Sequence, residues 1–128
     1  MKIIKSTIKD TEVIKIDIAN EIDEKTKELN GNIELDIENQ LYFIELIDAI
    51  LEQESSNLII NMSHITYIDS SGLWALFEIH KKAQLNNGKI ILLNPTKDVK
   101  RVLDITKMSS KLIIEEKEQS AINHFVSN

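Results

Sequence analysis

Cysteine is absent from this 128-residue chain. Its absence removes disulfide bonds, thiolate nucleophiles and zinc–thiolate sites together. Proline occurs once and glycine three times, and neither G-x-G-x-x-G nor G-x-x-x-x-G-K is present. No phosphate-cradling loop is therefore expected, and no cofactor with it. The G-x-S-x-G elbow is missing too, which argues against hydrolase chemistry and against an enzyme. Aromatic residues make up only 5% of the chain and fall at positions compatible with a core, so no stacking platform for nucleic acid is indicated. His64, His80 and His124 lack ligand-like spacing, which predicts surface histidines and no metal site. No apolar run approaches the roughly 20 residues that span a bilayer. At the N-terminus the apolar run breaks after two residues and no small-residue cleavage site follows, so no signal peptide is expected and the cytoplasm is the expected location. The net charge of −6, with the lysines read as dispersed, argues against nucleic acid as a partner.

What is present fits one soluble α/β domain over residues 1–128. A chain of this length buries about two thirds of its unfolded surface around one core. Residues 1–9 and 12–18 alternate apolar and polar side chains around Asp10-Thr11, the pattern of an antiparallel hairpin. Residues 19–36 are polar and irregular, with a turn signal at Asn30-Gly31-Asn32. From Leu41 to Leu51 an apolar stripe through Ile44, Ile47 and Leu51 predicts a helix ending near Glu54. The nearly continuous apolar run at 57–62 suits a central parallel strand covered on both faces. A strand then leads into a helix after Gly72, carrying Leu73, Leu76, Phe77 and Ala83 on one face and ending at a Gly88 cap. Another buried strand at 89–94, a helix opened by Asn94-Pro95, a strand at 111–116 and a helix at 120–126 complete the pattern. The expectation is a sandwich whose mixed sheet begins with an antiparallel hairpin, with helices packed on the sheet. No heptad pattern extends beyond a few turns, so a monomer is expected.

The junction Asp69-Ser70-Ser71-Gly72 is where the chain concentrates chemistry. A helix N-terminus leaves backbone N–H groups free and carries the positive end of the dipole, so Asp69 or Ser70 suits a plain N-cap. The same geometry favours an anion, which makes phosphorylation of a serine there physically sensible. Two blocks at matching distance, D-S-S-G-L at 69–73 and P-x-x-x-V-x-R-x-L at 95–103, resemble the STAS domain of anti-sigma factor antagonists. Thr106-Lys107-Met108 departs from the T-G-L that usually follows in that family. Either Asn20-Glu21-Ile22-Asp23 or Glu34-Leu35-Asp36 matches the family's G-E-L-D stretch, which leaves an atypical extra segment around 20–38.

The resemblance implies a partner switch. The unphosphorylated protein would bind an anti-sigma factor, a GHKL-type serine kinase, and release it once phosphorylated; a serine phosphatase would reset it. By the same resemblance Ser70 is the phosphoacceptor, with Ser71 as the rival. Asp69 would orient the loop, Ser71 would cap the helix, and Gly72 would let a partner backbone approach. Leu73 and Trp74 would complete the docking face. Trp74 replaces the small residue common in the family and serves either as an anchor or as packing against the sheet edge. Two other functions compete with this one. A non-switching STAS scaffold of a sensory or transport complex would not need Ser70. A receiver phosphorylated on Asp69 would begin with a parallel unit and an acidic pair, whereas this chain opens with a hairpin pattern.

Overall fold

The computed structural model describes residues 1–126. The chain opens with β1 (Lys2–Thr7) and β2 (Ile14–Ala19), paired antiparallel as their alternation requires. Ile16 and Ile18 point into the core and are fully buried. Three short strands follow where the sequence pattern was irregular: β3 (Glu21–Ile22), β4 (Leu29–Asn30) and β5 (Ile33–Leu35). Then come α1 (Gln40–Gln53), β6 (Asn57–Asn61), β7 (Ile65–Ile68), α2 (Ser70–Leu85) and β8 (Lys89–Leu93). The chain continues through α3 (Lys97–Ile105), a 3-10 turn at Met108–Ser110, β9 (Ile113–Glu115) and α4 (Glu118–Asn123).

The main sheet has the order β1-β2-β6-β8-β9, antiparallel only at β1–β2. Its centre is β6, whose Leu58, Ile59 and Ile60 are all fully buried because both sheet faces are covered. On one face Ile16, Leu58, Ile60 and Leu92 join Phe43 and Ile47 of α1, Leu76 and Ile79 of α2, and Val99 and Leu103 of α3. On the other, Val13, Ile59, Ile91 and Leu93 meet Ala121 of α4, with Ile122 and Phe125 beside them. Two small sheets stand apart from the main one: the β3–β4 hairpin and the parallel pair β5–β7. The β5–β7 pair positions the junction, because β7 leads into α2 and β5 leads toward α1.

Several expectations are corrected. Asn87, not Gly88, is the left-handed residue after α2, with φ 62°. Asn87 N donates to Gln84 O and Gly88 N to Ala83 O, a Schellman closure. Gly88 is needed for a different reason: a Cβ there would lie 2.0 Å from Ser56 O. Helix α3 is capped by Thr96, whose side chain accepts from Val99 N, so Asn94-Pro95 lies just outside it. The last helix begins at Glu118 and ends at Asn123, two and three residues before the expected bounds. His80 is buried rather than superficial, and Tyr42 and Tyr67 are about half exposed rather than in the core.

Candidate functional site

Asp69 is the N-cap of α2, in extended backbone, and its Oδ1 accepts from Gly72 N at 2.9 Å. Its other oxygen, Oδ2, accepts from Ile37 N at 3.2 Å, and its own N–H donates to Leu35 O at 3.3 Å. One carboxylate therefore clamps the start of α2 to the turn between β5 and α1. That turn is braced in its own right. Asp36 Oδ1 accepts from Glu38 N at 3.0 Å, Asn39 Oδ1 accepts from Asp36 N at 3.0 Å, and Asn39 Nδ2 donates to Glu34 O at 2.6 Å. Side chains of Asp and Asn that fold back on their own backbone in this way fix a turn without a sheet ladder.

Ser70 is the first residue of α2 and is exposed, whereas Ser71 is half-buried. With Asp69 occupying Gly72 N, the N–H groups of Ser70 and Ser71 remain without intrahelical acceptors. The capping role expected of Ser71 thus belongs to Asp69. Gly72 is buried, and a Cβ there would fall 2.3 Å from Leu35 O and 2.6 Å from Ile68 Cγ1. The backbone that comes close to Gly72 is this chain's own, which corrects the reason given for it. Leu73 is half-buried against the core, and Trp74 is 49% exposed.

Two neighbours of this junction were not singled out from the sequence as site residues. Ile37, tied to Asp69 through its N–H, is 65% exposed, and Leu41 in the first turn of α1 is 61% exposed. Helices α1 and α2 pack together; Leu41 is the second residue of α1 and Trp74 the fifth of α2. Along the sequence, residues 28–80 contain no lysine or arginine, while Glu34, Asp36, Glu38, Glu45 and Asp69 supply negative charge. The lysines are accordingly not dispersed but lie in two blocks, 2–27 and 81–117. A count of charge along the sequence could have found this; the apolar exposure could not, because Ile37 and Leu41 look like core residues in a linear pattern. Among the described residues no cluster of three or more His, Asp or Glu could hold a metal ion, and no helix is long and apolar enough to cross a membrane.

A mixed sheet opened by an antiparallel hairpin, with a serine at the head of the helix that follows a short strand, defines an α/β domain of known type. The chain belongs to the STAS-domain family, whose model matches residues 9–121. Solved structures share the fold. TM1081 of Thermotoga maritima, described as a candidate anti-sigma factor antagonist, is 23% identical over 95% of this chain and 92% of its own, with a TM-score of 0.75. The unphosphorylated anti-sigma factor antagonist SpoIIAA is 19% identical over 99% and 100%, with a TM-score of 0.67. Its phosphorylated form, a Bacillus cell fate determinant, is 19% identical over 98% and 100%, with a TM-score of 0.62.

Within the family's G-E-L-D alternatives, Glu34-Leu35-Asp36 is the one that ends β5 and leads into α1. Asn20-Glu21-Ile22-Asp23 instead enters the β3–β4 hairpin. The segment expected to be extra is folded, its first part forming the β3–β4 hairpin. It is anchored by Asp23 Oδ1, which accepts from Lys25 N and Thr26 N at 2.8 and 3.0 Å.

Proposed function

We propose that the chain is an anti-sigma factor antagonist that works as a phosphorylation-switched interaction module. Unphosphorylated, it binds an anti-sigma factor that is also a GHKL-type serine kinase; phosphorylated on Ser70, it releases that partner, and a serine phosphatase restores it. The observation that carries this reading is the exposed Ser70 hydroxyl at the head of α2, beside a carboxylate already committed to the cap and the neighbouring turn. Support for Ser70 over Ser71 comes from exposure, because a kinase must reach the hydroxyl. The docking face is centred on Ser70, Trp74, Ile37 and Leu41, with the acids of 34–45 at its rim. A partner for such a face presents an apolar pocket with basic residues around it. The module acts as a monomer in the cytoplasm.

The switch follows from where the phosphate sits. A phosphoserine brings about −1.5 to −2 charges into the apolar centre of the face, where the partner's rim cations cannot reach it, and its hydration must be stripped on docking. Folding is spared, because the same phosphate faces the open N–H groups of α2, where an anion contributes about 0.3–1 kcal/mol in favour.

The test is phosphorylation and binding with the cognate kinase. One phosphate should be added, mapping to Ser70, and Ser70→Ala should abolish it. Ser70→Asp should weaken kinase binding at least about tenfold, equivalent to ~1.4 kcal/mol, without lowering the melting temperature. Phosphate found on Ser71 overturns the acceptor. Unchanged binding of both Ser70→Asp and the phosphoprotein replaces the switch by the non-switching scaffold.

A further inference from the structure

The chain contains two Asn-Gly steps, Asn30-Gly31 and Asn87-Gly88, and both asparagines are exposed. Glycine offers no side chain to shield its backbone nitrogen, so an Asn-Gly step is where that nitrogen most readily reaches the asparagine side chain. The fold treats the two steps differently. Gly88 N donates to Ala83 O at 2.8 Å in the helix closure, and its Cα is pressed against Ser56, where a Cβ would meet Ser56 O at 2.0 Å. That nitrogen is held by its bond to Ala83, and the backbone around it cannot swing toward Cγ of Asn87. Nothing equivalent pins the first step. Asn30 ends a strand of two residues whose ladder consists of the pairs Glu21↔Asn30 and Ile22↔Leu29. Gly31 is tied through its carbonyl, which accepts from Asn20 N at 3.3 Å, and this leaves its nitrogen to the chemistry. A ladder this short opens at low cost, since local stability follows the number of bonds and buried contacts that must break together.

We infer that Asn30 is a site of spontaneous, irreversible deamidation in the native protein, and that Asn87 is protected from it. The deprotonated backbone nitrogen of Gly31 attacks Cγ of Asn30. The N–Cγ bond forms as the bond from Cγ to the amide nitrogen breaks, and that nitrogen leaves as ammonia. Water then adds to one or the other carbonyl of the resulting succinimide and opens it to aspartate or to isoaspartate. The net change is loss of ammonia and gain of water, with no oxidant or enzyme required.

The product acts on the hairpin. A carboxylate at position 30 stands directly opposite Glu21, and like charges directly opposite in an antiparallel pair are destabilising. The isoaspartyl form also lengthens the backbone by one methylene within the ladder. Both loosen the β3–β4 hairpin where it packs against β1 and β2. Lys25 and Lys27 in its loop then become easier to cleave.

The experiment ages the purified full-length protein at mildly alkaline pH and follows amide-to-acid conversion at both positions by peptide mass spectrometry, in buffer and in concentrated urea. In buffer Asn30 should convert at least about tenfold faster than Asn87, the factor that corresponds to ~1.4 kcal/mol of difference in local opening. In urea the two should convert at similar rates, because the protection of Asn87 belongs to the fold. Comparable native rates at the two positions, or an Asn30 that stays intact in buffer while it converts in urea, overturn the inference. As a second measurement, Asn30→Asp should be cut by trypsin at Lys25 or Lys27 faster than the fresh wild type. Equal cutting refutes the loosening of the hairpin.

Discussion

Two polar segments separate β2 from α1, and they are built on different principles. The turn at 34–39 is cross-braced: Asp36 and Asn39 bond to its backbone, and Asp69 reaches in from the head of α2 to hold Ile37. The hairpin at 20–31 has two ladder pairs and one aspartate-anchored turn, all of it local. The difference is one of reach: a side chain from a distant element, Asp69, holds Ile37 N in the turn at 34–39, whereas the side-chain bonds of the hairpin stay within it, so the exposed Ile37 is held on a braced turn while the hairpin is left free to open. A rigid docking face loses less conformational freedom when a partner binds.

The largest test of this contrast pits one glycine against another. Gly72→Ala drives a Cβ into Leu35 O, a backbone atom held by the Asp69 N–H, and should cost about 3 kcal/mol in urea denaturation. Gly31→Ala in the hairpin meets only the side chain of Asn20, at 3.0 Å, and suffers mainly from its φ of 78°, so about 1 kcal/mol is expected. Equal losses would erase the distinction between the two segments.

Next in size is Asp69→Ala, which removes the cap of α2 and the bond to Ile37 together. About 2 kcal/mol is expected, near the top of the range for a single cap, together with faster amide exchange at Ile37 by NMR. A loss without change at Ile37 would mean that the clamp across the two segments contributes nothing.

A smaller effect should appear with acid, in α2 rather than in either segment. His80 is only 6% exposed, its Nδ1 has no partner, and burial holds its imidazole below the ordinary value of about 6.5. The unfolded chain therefore takes up a proton at a higher pH than the folded one. Stability from this residue is complete above about pH 6.5 and is lost as the pH falls below it. Thermal melts between neutral and mildly acidic pH should show the decline, and His80→Leu should flatten it. Faster tryptic cutting of the hairpin over the same pH range would shift the acid response to that segment.

Much of this fold could be read from periodicity alone. Alternation marked β1 and β2, the continuous apolar run marked β6 as central, and the stripe through Ile47 and Leu51 marked α1 to within a residue of its bounds. The D-S-S-G step marked the junction for the same reason, since its chemistry is local. The short strands β3, β4 and β5 were lost because two or three residues carry no period, whereas β9 was found inside a longer apolar stretch. The caps were shifted by one or two positions because Asp69 and Ser71, or Asn94 and Thr96, are equally able to cap until the backbone chooses.

The sequence by itself determined the order of the longer elements, the sheet's buried centre and the place where a serine meets a helix, because each depends on residues adjacent in the chain. Only the tertiary structure decided that Asp69 clamps Ile37, that Gly72 faces Leu35 rather than a partner, and that Ile37, Leu41 and Trp74 are left exposed. The first two facts join segments more than thirty residues apart. An apolar side chain in a linear pattern states a preference for burial, but whether it is buried depends on what the rest of the chain places over it.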